Sequence, residues 1–102
     1  MKIQIKKTDK RHTGHDVFLY VADIEWPGIG QRSQRIQQFF EVRKWCWETM
    51  GDSCERDHWL ELHKKGLSSN LNQRWCWQTD FGNFKIYLRS EKEANWLKLK
   101  WL

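Results

Sequence analysis

The sequence predicts a single α+β domain, residues 1–102, built on an antiparallel sheet. A chain of 102 residues has the length of one domain. Apolar residues recur at helical spacing between residues 33 and 50. Two other segments, 16–26 and 72–89, carry the β-branched, aromatic and alternating patterns typical of strands. One main helix and several strands follow from these patterns.

Two strands are predicted in the N-terminal quarter. Residues 2–7 alternate polar and apolar side chains, which predicts a short strand at the edge of the sheet. Residues 8–15 are charged and include Gly14, so they predict a turn. Residues 16–26 predict a long strand that is apolar on both faces and therefore central. That strand ends at a break over residues 27–30, Pro-Gly-Ile-Gly.

The main helix is predicted over residues 33–50. Ser33 is a suitable N-terminal cap, and Gly51 is a suitable stop. One helical stripe collects the apolar side chains, which we expect to face the core: Ile36, Phe39, Phe40, Cys46, Trp47 and Met50.

The second half of the chain predicts a hairpin, a short helix and a last strand. Residues 52–71 give no clear pattern, whereas residues 72–89 alternate around a tight turn at 80–83. Ser90 and Glu93 form a capping box that opens a short helix over about 91–97. From Leu97 the chain alternates again, Leu97, Leu99 and Trp101 against two lysines, which predicts a final strand.

Without the N-terminal strand, the order is strand, helix, strand, strand, helix, strand. This is the split βαβ order of a ferredoxin-like sandwich, in which the helices cover one face of an antiparallel sheet. Residues 2–7 then add an extra edge strand, linked to the next strand by a hairpin.

Eight tryptophans supply much of the predicted core, because a large aromatic side chain buries much area per residue. We expect at least half to be structural: Trp47 on the helix stripe, and Trp75, Trp77 and Trp101 on inward strand positions. Trp26, next to Pro27, is expected to be partly exposed.

Charge and cysteine content indicate where the protein works. The net charge of +5 permits binding to nucleic acid or to an acidic protein and establishes neither. The start of the chain lacks a signal-peptide pattern, and no apolar run is long enough to span a membrane. Three cysteines, an odd number, indicate reduced thiols. These features predict a cytoplasmic protein.

No pattern of residues predicts catalysis, a cofactor or a metal. Cys46, Cys54, His58 and His63 lie within 18 residues, but without the close cysteine pairs of structural zinc sites. Cys54 near His58 resembles a thiol–imidazole pair only in sequence, and a reactive Cys54 would need exposure and a lowered pKa. We therefore expect a protein that is not an enzyme.

The candidate binding surface is the sheet face opposite the helices. We expect one face to pack on the helices through Val17, Leu19, Val21, Trp75, Trp77, Phe84, Ile86, Leu88, Leu97, Leu99 and Trp101. The binding surface would then be formed by these residues: Phe18, Tyr20, Trp26, Arg74, Lys85, Tyr87, Arg89, Lys98 and Lys100.

Three interpretations of this surface stay open. Trp, Tyr and Arg are enriched at protein interfaces, which favours a protein partner or self-association. Aromatic rings among basic side chains on an open sheet are also the platform that binds single-stranded nucleic acid. In the third interpretation the basic side chains are only solvated surface.

Several segments together resemble small uncharacterised proteins of tailed bacteriophages. They are Trp45-Cys46-Trp47-Glu48, Glu55-Arg56-Asp57-His58-Trp59, Arg74-Trp75-Cys76-Trp77 and the C-terminal residues 85–101. This resemblance covers about the last two thirds of the chain. It implies a viral protein of the host cytoplasm that acts by binding a host or virion partner.

Overall fold

The computed structural model describes residues 2–12, 14–26, 32–80 and 83–101. It confirms the α+β class, with a four-stranded antiparallel sheet and three α-helices in this part of the chain. The elements are β1 (Lys2–Lys7), β2 (Tyr20–Glu25), α1 (Arg32–Met50), α2 (Arg56–Lys64), a 3₁₀ turn (Ser68–Asn70), β3 (Trp75–Asp80), β4 (Asn83–Leu88) and α3 (Glu91–Trp101).

The strand order across the sheet is β1-β2-β4-β3, and every neighbouring pair is antiparallel. β2 and β3 therefore run in the same direction, with β4 between them. The predicted hairpin over 72–89 is confirmed as β3 and β4, which pair from Trp75 with Leu88 to Asp80 with Asn83. The predicted N-terminal edge strand is confirmed as β1.

Helices cover both faces of the sheet, which corrects the expectation that they share one. The first face carries Ala22 and Ile86 and packs against α1 and α3, through residues such as Phe39 and Leu97. The second face carries Val21, Cys76 and Tyr87 and packs against Trp59 and Leu60 of α2, together with Phe18. Segment 52–71, which gave no clear pattern in the sequence, thus contains the helix that covers the second face of the sheet.

The helix α1 confirms the main predicted helix to within one residue. It contains Ser33 instead of beginning after it, and the break predicted at 27–30 lies outside the described residues. Gly51 ends it with φ of 94°, a left-handed value that glycine adopts without strain, and its N–H donates to the Trp47 carbonyl. The predicted stop is confirmed.

The strand β2 is shorter than predicted, and this shifts the phase of its first half. Gly14 accepts hydrogen bonds from the N–H groups of Val17 and Phe18, so residues 14–17 form a turn. Phe18 therefore packs with Val21 on the second face, while Tyr20 packs on the first. The prediction that Val21 shares a face with Trp75 and Phe84 is also wrong, because Val21 pairs with Tyr87 and directly paired residues lie on the same face.

The predicted final strand is also wrong, because residues 97–101 continue α3. Ser90 and Glu93 lie at its start, as predicted, and the Ser90 hydroxyl donates to the Glu93 carboxylate. Ala94, Leu97 and Trp101 follow at helical spacing, and the first two are buried against the sheet. Leu99 is 82 % exposed, on the outer side of the helix. The predicted final strand would have to pair with the free edge of β2, but β1 already pairs with that edge.

The helix α2 begins at an unpredicted cap. The Glu55 carboxylate accepts hydrogen bonds from the N–H groups of Asp57 and His58.

Among the described helices, none combines the length and apolar character that a membrane-spanning helix needs.

Candidate functional site

One side of α1 carries large apolar side chains that the fold leaves uncovered. Ile36, Phe40 and Trp47 are 49 %, 57 % and 52 % exposed. Their spacings of four and seven residues place them on one side of the helix, with Arg43 between them. We call these four residues the α1 flank. Phe39, Val42, Cys46 and Met50, on the neighbouring side, are buried in the core.

Arg43 connects the α1 flank to the sheet. Its guanidinium carbon lies 3.9 Å from the centroid of the Trp77 ring on β3 and 5.6 Å from that of Phe40. Both distances are within the range of cation–π attraction. Partial burial lowers the pKa of Arg43 from its ordinary value, which leaves it protonated at neutral pH because that value is so high. The flank therefore has a fixed cationic centre between aromatic rings.

A cleft of about 440 Å³ opens at the C-terminal end of the flank, and we call it the Trp47 cleft. Trp47 forms one wall, and the others come from the loop after α1, from α2 and from the 3₁₀ turn. The lining residues are Trp47, Asp52, Ser53, Cys54, His58, Trp59, Ser69, Asn70, Leu71 and Asn72.

Hydrogen bonds to the backbone hold the walls of the Trp47 cleft in place. The indole N–H of Trp75 donates to the Gly51 carbonyl at 2.7 Å, and that of Trp59 donates to the Asn72 carbonyl at 2.8 Å. The Asn72 amide donates to the Met50 carbonyl at 2.8 Å, and Ser53 Oγ donates to the Trp75 carbonyl at 2.6 Å. The cleft is thus formed before any ligand arrives, which lowers the entropic cost of binding.

The cysteines are not activated nucleophiles. Burial raises the pKa of Cys46 to about 12 and that of Cys76 well above its ordinary value. Burial and the nearby Glu55 carboxylate raise the pKa of Cys54, which lines the cleft with His58. All three are protonated at neutral pH, whereas a catalytic cysteine needs a lowered pKa. The described residues contain no group of three or more potential metal ligands.

The second sheet face is open beyond α2 and forms a basic cleft of about 380 Å³. Side chains from β1, β3 and β4 line it, together with residues from the start of α2 and from the turn after β1. Its lining residues are Lys6, Arg11, His12, Arg56, Gln78, Lys85 and Tyr87. Tyr87 is buried. Its hydroxyl accepts a hydrogen bond from Arg56 Nη1 at 2.8 Å and donates one to Gln78 Oε1 at 3.0 Å.

The structure separates the aromatic members of the predicted binding surface from its basic members. Phe18, Trp26 and Tyr87 are buried, so the expected exposure of Trp26 is wrong. Trp26 packs edge-on against Phe84, with ring centroids 5.0 Å apart. Tyr20 packs against the first core cluster.

The basic members of that surface are dispersed. Arg74 pairs with Glu93 at 3.4 Å and lies over the Trp96 ring. Arg89 donates to Gln73, and Lys98 and Lys100 are exposed on α3. Within the predicted set, Lys85 and Tyr87 meet in the basic cleft, and the Arg89 N–H donates to the Arg74 carbonyl beside the β3–β4 hairpin.

Sequence reasoning missed the exposure of the α1 flank. It placed Ile36, Phe40 and Trp47 in a single inward stripe with Phe39, Cys46 and Met50, a stripe wider than this helix buries. The width of the stripe is the sequence signal for this exposure, since a single helix–sheet contact does not bury six apolar positions of one helix.

Comparisons of the chain with protein-family models, with curated proteins and with solved structures find no match. The site is therefore interpreted from its own geometry and chemistry.

Proposed function

We propose that this protein is a non-enzymatic binding module that docks a partner protein on the α1 flank and in the Trp47 cleft. The observation that carries the proposal is the half-exposure of Ile36, Phe40 and Trp47 on one side of one helix. Exposed apolar residues that stand alone are ordinary, but a contiguous group of this size is typical of an interaction site.

The composition of the flank supports a protein ligand. Trp, Arg and aromatic residues are enriched among the residues that dominate interface affinity. Trp47 belongs both to the flank and to the adjoining cleft, so a partner can lie along α1 and insert one side chain beside Trp47. A single side chain anchored in a preformed pocket can supply a large share of the binding free energy of an interface.

The charge of the chain supports an acidic partner segment. The sequence of α1 holds four basic and two acidic residues, and the whole chain has a net charge of +5. Two copies of so basic a protein repel each other, whereas an acidic segment with apolar side chains complements both the rings and Arg43. The occupant we propose is an amphipathic, acidic segment of another protein.

A display library of short random peptides tests this proposal. We expect the immobilised protein to enrich peptides that combine aromatic or aliphatic residues with Asp and Glu. Phe40→Ser and Trp47→Ser should abolish this enrichment, and higher salt should weaken it. Leu99→Ser is the matched control, because it removes an exposed apolar residue from another helix. Equal enrichment by the flank variants, or enrichment without acidic residues, would contradict the proposal.

A sedimentation measurement distinguishes the other occupant of the flank. If the wild-type protein dimerises and Phe40→Ser makes it monomeric, the flank is covered by a second copy and the proposed partner is wrong. Whether the natural partner belongs to a host cell or a virion, and whether binding occurs in the cytoplasm, stay predictions from the sequence and its phage resemblance.

Single-stranded nucleic acid stays as the alternative ligand, on the open part of the second sheet face. Lys6 and Lys85 support it, since both reach this face. The burial of Phe18 and Tyr87 weakens it, because base stacking needs a free ring face. A fluorescent oligonucleotide titrated at low and high salt distinguishes the two functions. No binding at low salt removes this alternative.

We further propose that the fold is a variant of the ferredoxin-like arrangement. A split βαβ unit supports this proposal: β2, α1 and β3 follow one another in the chain, and β4 lies between β2 and β3 in the sheet. In this variant β1 takes the edge position that the last strand holds in the usual arrangement.

A further inference from the structure

We infer that the basic cleft on the second sheet face binds a single dianionic phosphate group carried by a small molecule. This site is independent of the protein-binding surface proposed above, since α1 contributes none of its residues.

The first observation is an excess of positive charge at the cleft. Lys6 and Lys85 share one carboxylate, Asp23, whose oxygens lie 3.5 Å and 3.7 Å from the two ammonium nitrogens. Such long pairs leave both ammonium groups able to bind another anion. Arg11 pairs with Asp9, and Arg56 pairs with Asp57. Four cations thus face three carboxylates, and His12 Nδ1 lies 3.2 Å from Asp9 Oδ1.

The second observation is a partly buried donor group at the cleft wall. Arg56 is the first residue of α2, and only 15 % of its side chain is exposed. Its hydrogen bonds to Asp57 and Tyr87 use three of the five guanidinium N–H groups. The Tyr87 hydroxyl and Asp57 hold the guanidinium in place, so its two other N–H groups are donors in fixed positions.

The third observation is that hydrogen-bond donors dominate the lining. Gln78 lines the cleft, and because its Oε1 accepts from Tyr87, its remaining hydrogen-bonding groups are two amide N–H donors. The lysines and arginines can only donate. A ligand with several acceptor oxygens and two negative charges fits this lining, and phosphate has both properties. A volume of about 380 Å³ suits a small molecule.

The Tyr87 ring is not available for base stacking in the cleft, since Tyr87 is 1 % exposed and its hydroxyl is bonded to Arg56 and Gln78. We therefore favour a phosphate monoester over the diester backbone of a nucleic acid. Monoesters carry close to two negative charges at neutral pH, whereas each diester carries one.

The experiment is a titration of ¹⁵N-labelled protein with inorganic phosphate, at constant ionic strength and pH 7.5, followed by amide NMR shifts. We expect saturable shifts confined to amides around Lys6, Arg56, Gln78 and Lys85. Lys85→Gln and Lys6→Gln should each weaken phosphate binding about tenfold. Each leaves Asp23 one lysine partner, so both proteins should fold.

Lys98→Gln is the control, because it removes the same charge from α3, where Lys98 is exposed. Shifts that do not saturate, or that spread over the whole basic surface, would overturn the inference. So would an equal loss of affinity in Lys98→Gln.

A dinucleoside monophosphate, which carries only a diester, tests the ligand class. We expect it to bind about tenfold more weakly than inorganic phosphate, because it presents one fewer charge to the cleft. Equal affinity would overturn the monoester assignment and point to a nucleic-acid backbone. Phe40→Ser and Trp47→Ser should leave phosphate binding unchanged. This result would show that the basic cleft binds its ligand independently of the protein-binding surface.

Discussion

The guanidinium carbon of Arg43 lies 3.9 Å from the centroid of the Trp77 ring. This contact joins the middle of α1 to the edge strand β3, on the side of the helix where the flank begins. It makes Arg43 part of both the fold and the proposed docking surface.

Replacing Arg43 should therefore destabilise the protein as well as weaken docking. Arg43→Gln removes a partly desolvated cation–π contact, and we expect a loss of about 1 kcal/mol in the free energy of unfolding. Lys44→Gln, at the exposed neighbouring position, should change it by less than about 0.5 kcal/mol. Urea denaturation measures both. Equal effects of the two substitutions would mean that the Arg43–Trp77 contact contributes nothing.

Phe39 and Phe40 are adjacent and identical, but truncation should destabilise the protein far more at Phe39 than at Phe40. Phe39 is 1 % exposed and lies edge-on to Phe84, with centroids 5.2 Å apart. Phe39→Ala should cost about 3–5 kcal/mol because it opens a cavity in the core. Phe40→Ala should cost about 1 kcal/mol or less, since Phe40 is more than half exposed. Thermal unfolding of the two variants checks this, and a Phe40→Ala cost as large as that of Phe39→Ala would place Phe40 in the core.

Glu93 should make the stability depend on pH below neutrality. Burial alone raises the pKa of Glu93, but hydrogen bonds from Ser90, from its own backbone and from Arg74 outweigh burial, so its pKa lies below the ordinary 4.5. A lowered pKa in the folded state means that the ionised form stabilises the fold. This stabilisation is fully present above about pH 5.5 and is lost as the pH falls through 4.5 to the folded-state pKa.

Glu93→Gln is the matched test of that dependence. The variant should be less stable than the wild type at pH 7, and the difference should shrink steadily as the pH falls below 4.5. Urea denaturation at a series of pH values measures it. A difference that is constant from pH 7 to pH 3 would show that the Glu93 charge does not matter.

The three thiols should react slowly with alkylating reagents in the native protein. Burial raises the pKa of each cysteine, and only the thiolate reacts. Cys54, the least buried of the three, should react first and Cys46 and Cys76 far later. Mass spectrometry over time at pH 8, against a guanidinium-denatured control, measures the order. Rapid labelling of native Cys54 would contradict this prediction and support a reactive thiol beside His58.

Local patterns predicted the parts of the fold that depend on local interactions. The helix α1 and the β3–β4 hairpin follow from periods of 3.6 and 2, and both are present. Residues 97–101 satisfy both periods, since Leu97 and Trp101 fit a helix and a strand equally well. What decides between them is the position of β1, which is far away in the sequence.

The candidate sites were harder to predict because they depend on which side chains the tertiary structure leaves exposed. Tyr87 and Lys85 were correctly placed on the face opposite Ile86. The turn at Gly14 changed the phase of Phe18, and α2 then covered it. Lys6, Arg11 and Arg56 converge from three segments, so no sequence pattern could reveal their cleft.

The loop before α2 also has a consequence for how copies of this chain can associate. The Cys54 carbonyl accepts the N–H of Trp77, and Ser53 donates to the Trp75 carbonyl, so the outer edge of β3 is already hydrogen-bonded. On the opposite edge, β1 carries three lysines at positions 2, 6 and 7. Paired backbone groups and charged side chains both obstruct the addition of a further strand. The sheet is thereby protected from growing strand by strand into fibrils, although its chain is rich in aromatic residues.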